Sequence, residues 1–340
     1  MGKKNTISKD YMSDNIKFAD IFNYYLFNGK QRIKSENLIE KDITEISISS
    51  KSRDKFYAME KYRDILKQCV LKSDGKYIYL LLGIENQSEI HYAMPVRNMV
   101  YDAMNYSEQI SNTAREHKRN KDKMDAREFL SGITKEDKLI PVLTLVIYWG
   151  NECWDAPKSL YEMFSEMDLD ILRFVNDYTL NLIVPGEIED FSLFQSELGK
   201  ELEFINASDN IDKMKKILKE NRQYYLHMDV DSARMIKEFG KTNIDIDRYE
   251  SMEEINMCKA IDDMIFEGEQ KGMEKGMEKG VQKKLVEQVC KKVKKNKSLE
   301  VIAEELEESV SDIQQIYDKV LEYAPEYDVN MICEKVTEYY

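Results

Sequence analysis

Residues 52–106 read SRDKFYAMEKYRDILKQCVLKSDGKYIYLLLGIENQSEIHYAMPVRNMVYDAMNY. Asp64 opens a β-rich run that closes at the turn signal Ser73-Asp74-Gly75-Lys76. A second run, Tyr77 to Ile84, is almost wholly apolar and ends in Glu85-Asn86-Gln87. A helical stretch starts at Pro95, since a proline loses nothing by lacking an N–H at the first helical position, and Val96 to about Ile110 reads as helix. Alternation along a strand predicts Glu85 and Gln87 on one face of the sheet and Asn86 on the other. If the two runs pair through the Asp74-Gly75 turn, Asp64 lies near Glu85. An acid on one strand and Glu-x-Gln at the tip of the next is a way to hold a divalent metal. Mg²⁺ takes hard oxygen ligands and keeps several waters, so two carboxylates and a carbonyl suffice.

Working outward, residues 17–28 (KFADIFNYYLFN) have helical spacing and an aromatic face suited to packing on a core. Thr44 to Ser50 alternates as a strand does. Leu139 to Trp149 (LIPVLTLVIYW) is a near-continuous apolar run stopped by Gly150, as expected of a central strand buried on both faces. Strands interleaved with helices predict a mixed α/β core. From Ser159 to Ile265 the pattern is mostly helical, consistent with a helical subdomain.

The chain has 340 residues, 42% of them hydrophobic, enough to bury one large core with an extension. Its net charge of −14 argues against whole-surface attraction to nucleic acid, though not against a local basic groove around an acidic site. The five cysteines are scattered, odd in number and without a C-x-x-C pair, which suggests reduced thiols in a cytoplasmic protein. The start, MGKKNTISKDYMSDN, lacks the apolar stretch of a signal peptide, and no run of ~18 apolar residues predicts a membrane span.

The stretches FADIFNYYLFNGKQRI, KYRDILK, LLGIENQSEIHYAMPVRNMVYDAMNYSEQ, EFLSGITKEDKLIPVLTLVIYWGNECWDAPKSLYEMF, DYTLNLIVP and MCKAIDDMIFEGEQKG span residues 17 to about 280. Together they resemble the Rpn family of recombination-promoting nucleases, also described as YhgA-like transposases. The strand layout is similar to the PD-(D/E)XK nuclease core, in the branch where Gln replaces the motif Lys. The resemblance implies a restriction-endonuclease-like α/β fold, a mixed sheet flanked by helices, with a helical C-terminal extension. The expected division is a nuclease core over 1–155, a helical subdomain over 156–265, a Gly-repeat and basic connector over 266–297 and a small helical tail over 298–340. It also implies a DNA endonuclease dependent on Mg²⁺, or on another divalent cation such as Mn²⁺ or Ca²⁺.

On that reading Asp64 and Glu85 are metal ligands, and Gln87 orients water by hydrogen bonding without supplying the charge a Lys would bring. Arg97 is a candidate phosphate contact, with a surface ion pair as the plain alternative. Gln109, twelve residues on, shares roughly its face of the helix. Asp20 on the first helix is an accessory carboxylate or a polar helix residue. His91, His117 and His227 are too scattered for a zinc set. Trp149 and Trp154 suit core packing better than base stacking, and Arg115–Lys123 (REHKRNKDK) reads as a net basic loop. The alternative function is a non-cleaving, nuclease-like DNA-binding or protein-interaction protein of a mobile element or phage-defence system.

Gly268, Gly272, Gly276 and Gly280 recur at every fourth position, as in a low-complexity connector or a helix-pairing stalk. Residues 281–297 then carry seven lysines against one glutamate, and residues 298–340 twelve acids against two lysines. SLEVIAEELEESVSDIQQIYDKVLEY suggests two amphipathic helices capped by Ser298 and by Ser309 or Ser311. The second has no base before Lys319, which suits packing or homo-oligomer formation better than groove reading.

Overall fold

The computed structural model describes residues 3–41, 64–73, 76–150, 152–166, 168–240, 242–246, 248 and 254–337. The chain divides into two compact units, Met1–Ala260 and Ile261–Tyr340.

The first unit opens with α1 (Lys3–Met12) and α2 (Asn15–Phe27), then β1 (Leu38–Glu40), β2 (Ile65–Ser73) and β3 (Lys76–Gln87). α3 (Met94–Asn120) and α4 (Ala126–Ser131) lead to β4 (Val142–Tyr148). After α5 (Leu169–Leu172) and β5 (Asn181–Ile183) come α6 (Leu198–Ala207), α7 (Ile211–Glu220) and α8 (Arg222–Leu226). A small antiparallel pair, β6 (Met228–Asp229) and β7 (Glu254–Ile255), flanks α9 (Val230–Phe239).

The main sheet has the order β1-β2-β3-β4-β5. Its first three strands are antiparallel, while β4 runs parallel to β3 and β5 parallel to β4. The result is a mixed five-stranded sheet flanked by helices. Ser73 pairs with Lys76 and Ile65 with Ile84, so β2 and β3 form the expected antiparallel pair. The Asp74-Gly75 turn itself, like the expected strand at Thr44–Ser50, lies outside the described residues.

Alternation divides the sheet into two faces. Leu82, Ile84, Leu145, Ile147 and Trp149 pack with Phe18, Phe22, Leu198 and Phe239 in the largest apolar core. Lys67 pairs with Leu82 and is buried with it. Its ammonium donates to Ser13 O and Asn15 Oδ1, each at 2.5 Å, which ties β2 to the junction of α1 and α2. On the opposite face, Val146 and Tyr148 join Met94, Trp154, Ala156, Leu180 and Val184 in a second cluster.

β4 is buried on both faces through Leu145–Tyr148, as its apolar run predicts. It begins at Val142 rather than Leu139: the N–H of Ile140 is taken by Gln109 Oε1, and Pro141 offers only its carbonyl, to Leu81 N. α3 runs on to Asn120, so Arg115–Asn120 is helical and not loop. His117, Lys118 and Arg119 suit the negative end of its dipole. His117 also bridges Asp122 and Asp137, which hold its imidazolium above the ordinary histidine range, while Asp137 falls to about 2 through its bonds from Thr134 and His117. The stretch before α6 is mostly short turns and short helices around β5, where a mostly helical pattern was expected.

The second unit begins within α10 (Met257–Val293) and continues through α11 (Leu299–Leu306), α12 (Val310–Glu322) and α13 (Val329–Thr337). Val286, Val289, Val293, Ile302, Ile313, Ile316, Val320 and Ile332 form its core. Glu307 in the left-handed conformation ends α11, and the Ser309 hydroxyl caps α12 by accepting from Asp312 N at 3.2 Å. The four-residue glycine repeat lies within helical α10, with open space around each glycine. The basic and acidic blocks meet where Lys292 and Lys297 both pair with Glu305, whose carboxyl falls to about 2. No helix among the described residues is long and apolar enough to cross a membrane.

Candidate functional site

Glu85 and Gln87 end β3 beside Val146 and Tyr148 of β4. This is the carboxyl edge of the parallel strand pair, where α/β sheets place their ligands. Asp64 immediately precedes β2, and its Oδ2 accepts a 2.7 Å hydrogen bond from the backbone N–H of Asn86. The β2–β3 register, with Ile65 opposite Ile84, thus brings Asp64 to the residue between Glu85 and Gln87. Asn86 points to the other face, where its Oδ1 accepts from Trp149 Nε1 at 2.9 Å. That bond fixes the strand end from behind.

α3 supplies the remaining groups. Its first turn carries Arg97, whose Nη2 lies 2.5 Å from Glu85 Oε1, with side-chain exposures of 26% and 1%. Arg97 Nε donates to Tyr101 Oη at 2.8 Å, an i,i+4 contact along the helix. Gln87 Nε2 donates to Glu85 Oε1 at 3.1 Å and to Asn86 O at 3.0 Å. Glu85 and Asp64 are almost fully buried, Arg97 and Gln87 half-buried.

Burial pushes the Asp64 carboxyl above its ordinary value, against the pull of the Asn86 hydrogen bonds and of the positive charges on Lys9 and Arg97. Burial works against the Arg97 charge, but Glu85, Tyr101 and Asp64 outweigh it and hold the guanidinium above its usual range. Burial and the Glu85 charge together raise the Tyr101 phenol. Asp64, Glu85, Arg97 and Tyr101 thus form one electrostatic group.

Two other sequence candidates are engaged elsewhere. Gln109 lies three turns further along α3 and clamps the backbone before β4, donating to Ile140 O at 3.0 Å and accepting from Ile140 N at 2.7 Å. Asp20 is buried on α2, where it accepts from Gln195 N at 3.0 Å, Ser196 N at 2.7 Å, Ser196 Oγ at 2.6 Å and Gln31 Nε2 at 3.3 Å. It holds the chain entering α6. Trp149 and Trp154 are both core residues. The sequence reading missed Tyr101, although its i+4 spacing from Arg97 was visible, and Lys9, whose nearness to Asp64 only the fold creates.

Two carboxylates with a carboxamide oxygen on the same sheet face suit a hard divalent cation that keeps several waters. Among the described residues no group of three or more His, Cys, Asp or Glu side chains is arranged to hold a metal, so Asp64 and Glu85 would need water or substrate oxygens to complete a shell.

The profile of the family described as "Putative transposase, YhgA-like" matches residues 42–225, more than half of the chain and all of this site except α1. Neither the curated proteins nor the solved structures contain a significant match to the chain.

Proposed function

From the premise that the chain belongs to the YhgA-like transposase family, we propose that it is a divalent-metal-dependent DNA endonuclease built on a PD-(D/E)XK core. The observation that carries this reading is the buried Asp64–Glu85 pair at the carboxyl edge of β3 and β4, faced by the first turn of α3.

Asp64 and Glu85 would hold the cation, whose chemistry is to polarise the scissile phosphate and acidify a bound water. Asp64 is positioned by the Asn86 N–H, Glu85 by Arg97 and Gln87. The Gln87 carboxamide, seated against Glu85 and Asn86 O, would orient an attacking water by hydrogen bonding, and it stays neutral throughout. Positive charge for the phosphate comes from Arg97 at the rim, with Lys9 contributing to the field at Asp64. A net charge of −14 makes this local arrangement, not the whole surface, the expected DNA contact.

The deciding experiment compares wild type with Asp64→Ala on supercoiled plasmid in Mg²⁺, Mn²⁺ and Ca²⁺. Nicked or linear product from wild type alone supports hydrolysis at this site. Retained DNA binding without cleavage in any of the three ions would assign the non-cleaving alternative.

A further inference from the structure

Arg97 stands where an incoming cation would have to act. Its Nη2 is 2.5 Å from the Glu85 oxygen that Gln87 also contacts at 3.1 Å. Gln87 is neutral, so it cannot balance the carboxylate. With both carboxylates ionised, Asp64 and Glu85 carry −2, and the guanidinium reduces this to −1. A buried carboxylate pair without a nearby cation is costly, so Arg97 offsets the Glu85 charge and holds the side chain in place. A divalent ion on the same two carboxylates would do this with twice the charge and would repel the guanidinium.

The side chain is built for departure. It is 26% exposed over a carboxylate that is 1% exposed, so its path leads outward to solvent. Its Nε is held by Tyr101 at 2.8 Å, and its guanidinium carbon lies 5.6 Å from the Tyr101 ring centroid. Because the guanidinium is a rigid plane, leaving Glu85 swings the Nε–H as well as the Nη groups, with the Tyr101 ring alongside as the remaining neighbour.

We propose that Arg97 is an exchangeable counter-cation: it neutralises Glu85 until a divalent ion competes for the carboxylate, and the released guanidinium then faces the phosphate at the rim. This rests on the reading of Asp64 and Glu85 as a divalent site. Arg97 weakens the protein's affinity for free metal while holding the ligands in place. It acts here as a positioning residue.

The test is calorimetric titration of the full chain with MnCl₂ and no DNA, all proteins being compared at one fixed pH. Four proteins are compared: wild type, Asp64→Asn, Arg97→Met and the double variant. Arg97→Met is expected to bind Mn²⁺ at least ~10-fold tighter than wild type, with the gain lost in the double variant. Equal or weaker binding by Arg97→Met, with wild-type binding still dependent on Asp64, overturns the exchange and leaves the metal site standing. Absence of Asp64-dependent binding in both wild type and Arg97→Met overturns the exchange and the metal site together.

A second measurement titrates wild type and uses Arg97→Lys only to assign the resonance, so it stands even if Arg97→Met fails to fold. The arginine Nε–H resonance that disappears in Arg97→Lys is followed during titration with diamagnetic Ca²⁺. Its shift or loss at saturation supports the exchange, and an unchanged resonance overturns it.

Discussion

Asp20 and Glu85 are both buried acids of the first unit, yet the chain neutralises them differently. Asp20, where α2 meets residues 195–196, is surrounded by backbone and side-chain N–H and O–H donors supplied by the fold. Those donors cannot leave without unfolding the approach to α6. Glu85, where β3 meets α3, is balanced by a half-exposed guanidinium on a flexible arm. The first arrangement is a structural clamp and the second a replaceable one. Burial alone therefore does not mark a carboxylate as functional; under the proposed exchange, the replaceability of its partner does.

Glu201 is a third solution. It is fully buried, accepts from the Tyr224 hydroxyl, and its carboxyl is pushed up to about 7, chiefly by burial and against hydrogen bonds from Ser232 and Tyr224. Below about pH 7 a proton does the work that donors do for Asp20 and a guanidinium does for Glu85.

The largest effect expected from this contrast is on cleavage. Glu85→Gln and Asp64→Asn should each lower divalent-dependent plasmid cutting by ~10⁴-fold, about 5 kcal/mol in the barrier, with melting temperatures close to wild type. Asp20→Asn should cut normally per folded molecule. Loss of cutting in a fully folded Asp20→Asn protein would place Asp20 in the site and break the distinction.

Next in size is Asp20→Ala. Removing the acceptor strands the donors of Gln195, Ser196 and Gln31, and the urea midpoint should report a loss of about 4 kcal/mol. A near-wild-type midpoint would mean that water replaces the carboxylate easily and that the clamp is not structural.

Glu201 predicts a pH dependence. Its folded pKa lies above the unfolded value, so the folded state holds the extra proton. Stability is then highest below about 4.5, falls as pH rises to about 7 and levels off beyond, by up to about 3 kcal/mol. Glu201→Gln should flatten that part of the profile in denaturant melts across the same pH range. An unchanged slope would assign it to other groups.

The smallest effect concerns Gln87. Gln87→Ala removes a neutral donor and no charge, so cleavage should fall ~10-fold, about 1.4 kcal/mol, with Mn²⁺ affinity little changed. A loss as large as that of Glu85→Gln would raise Gln87 from an orienting group to an essential ligand.

Much of the sheet was legible in the residues. The apolar runs at Tyr77–Ile84 and Leu139–Trp149 are β3 and β4, and the same-face placement of Glu85 and Gln87 follows from a strand's period of two. The turn signal at 73–76 predicts that the two runs pair, and the observed register, with Ser73 opposite Lys76 and Ile65 opposite Ile84, brings Asp64 to the end of β3. β5 escaped notice because three residues, Asn181–Ile183, are too few for alternation to register. The extra length of α3 escaped because its last turns are charged and exposed, which reads equally well as loop.

The sequence by itself determined which residues could carry chemistry and which lay on a common strand or helix face, because those facts depend on local periodicity and turn residues. Tertiary structure decided how each was used. Asp20 meets its partners 175 and 176 positions away, and no local pattern distinguishes a carboxylate that will meet backbone N–H groups from one that will meet a guanidinium. Gln109 and Arg97 share a helix, yet about 1.5 Å of rise per residue takes the former far from the strand end and onto the backbone at Ile140. The Glu85–Arg97 pair required β3, its loop and the first turn of α3 to close on one another. Burial then made that pairing energetically necessary, because a carboxylate removed from water needs a partner, and only the packed fold determines which one is within reach.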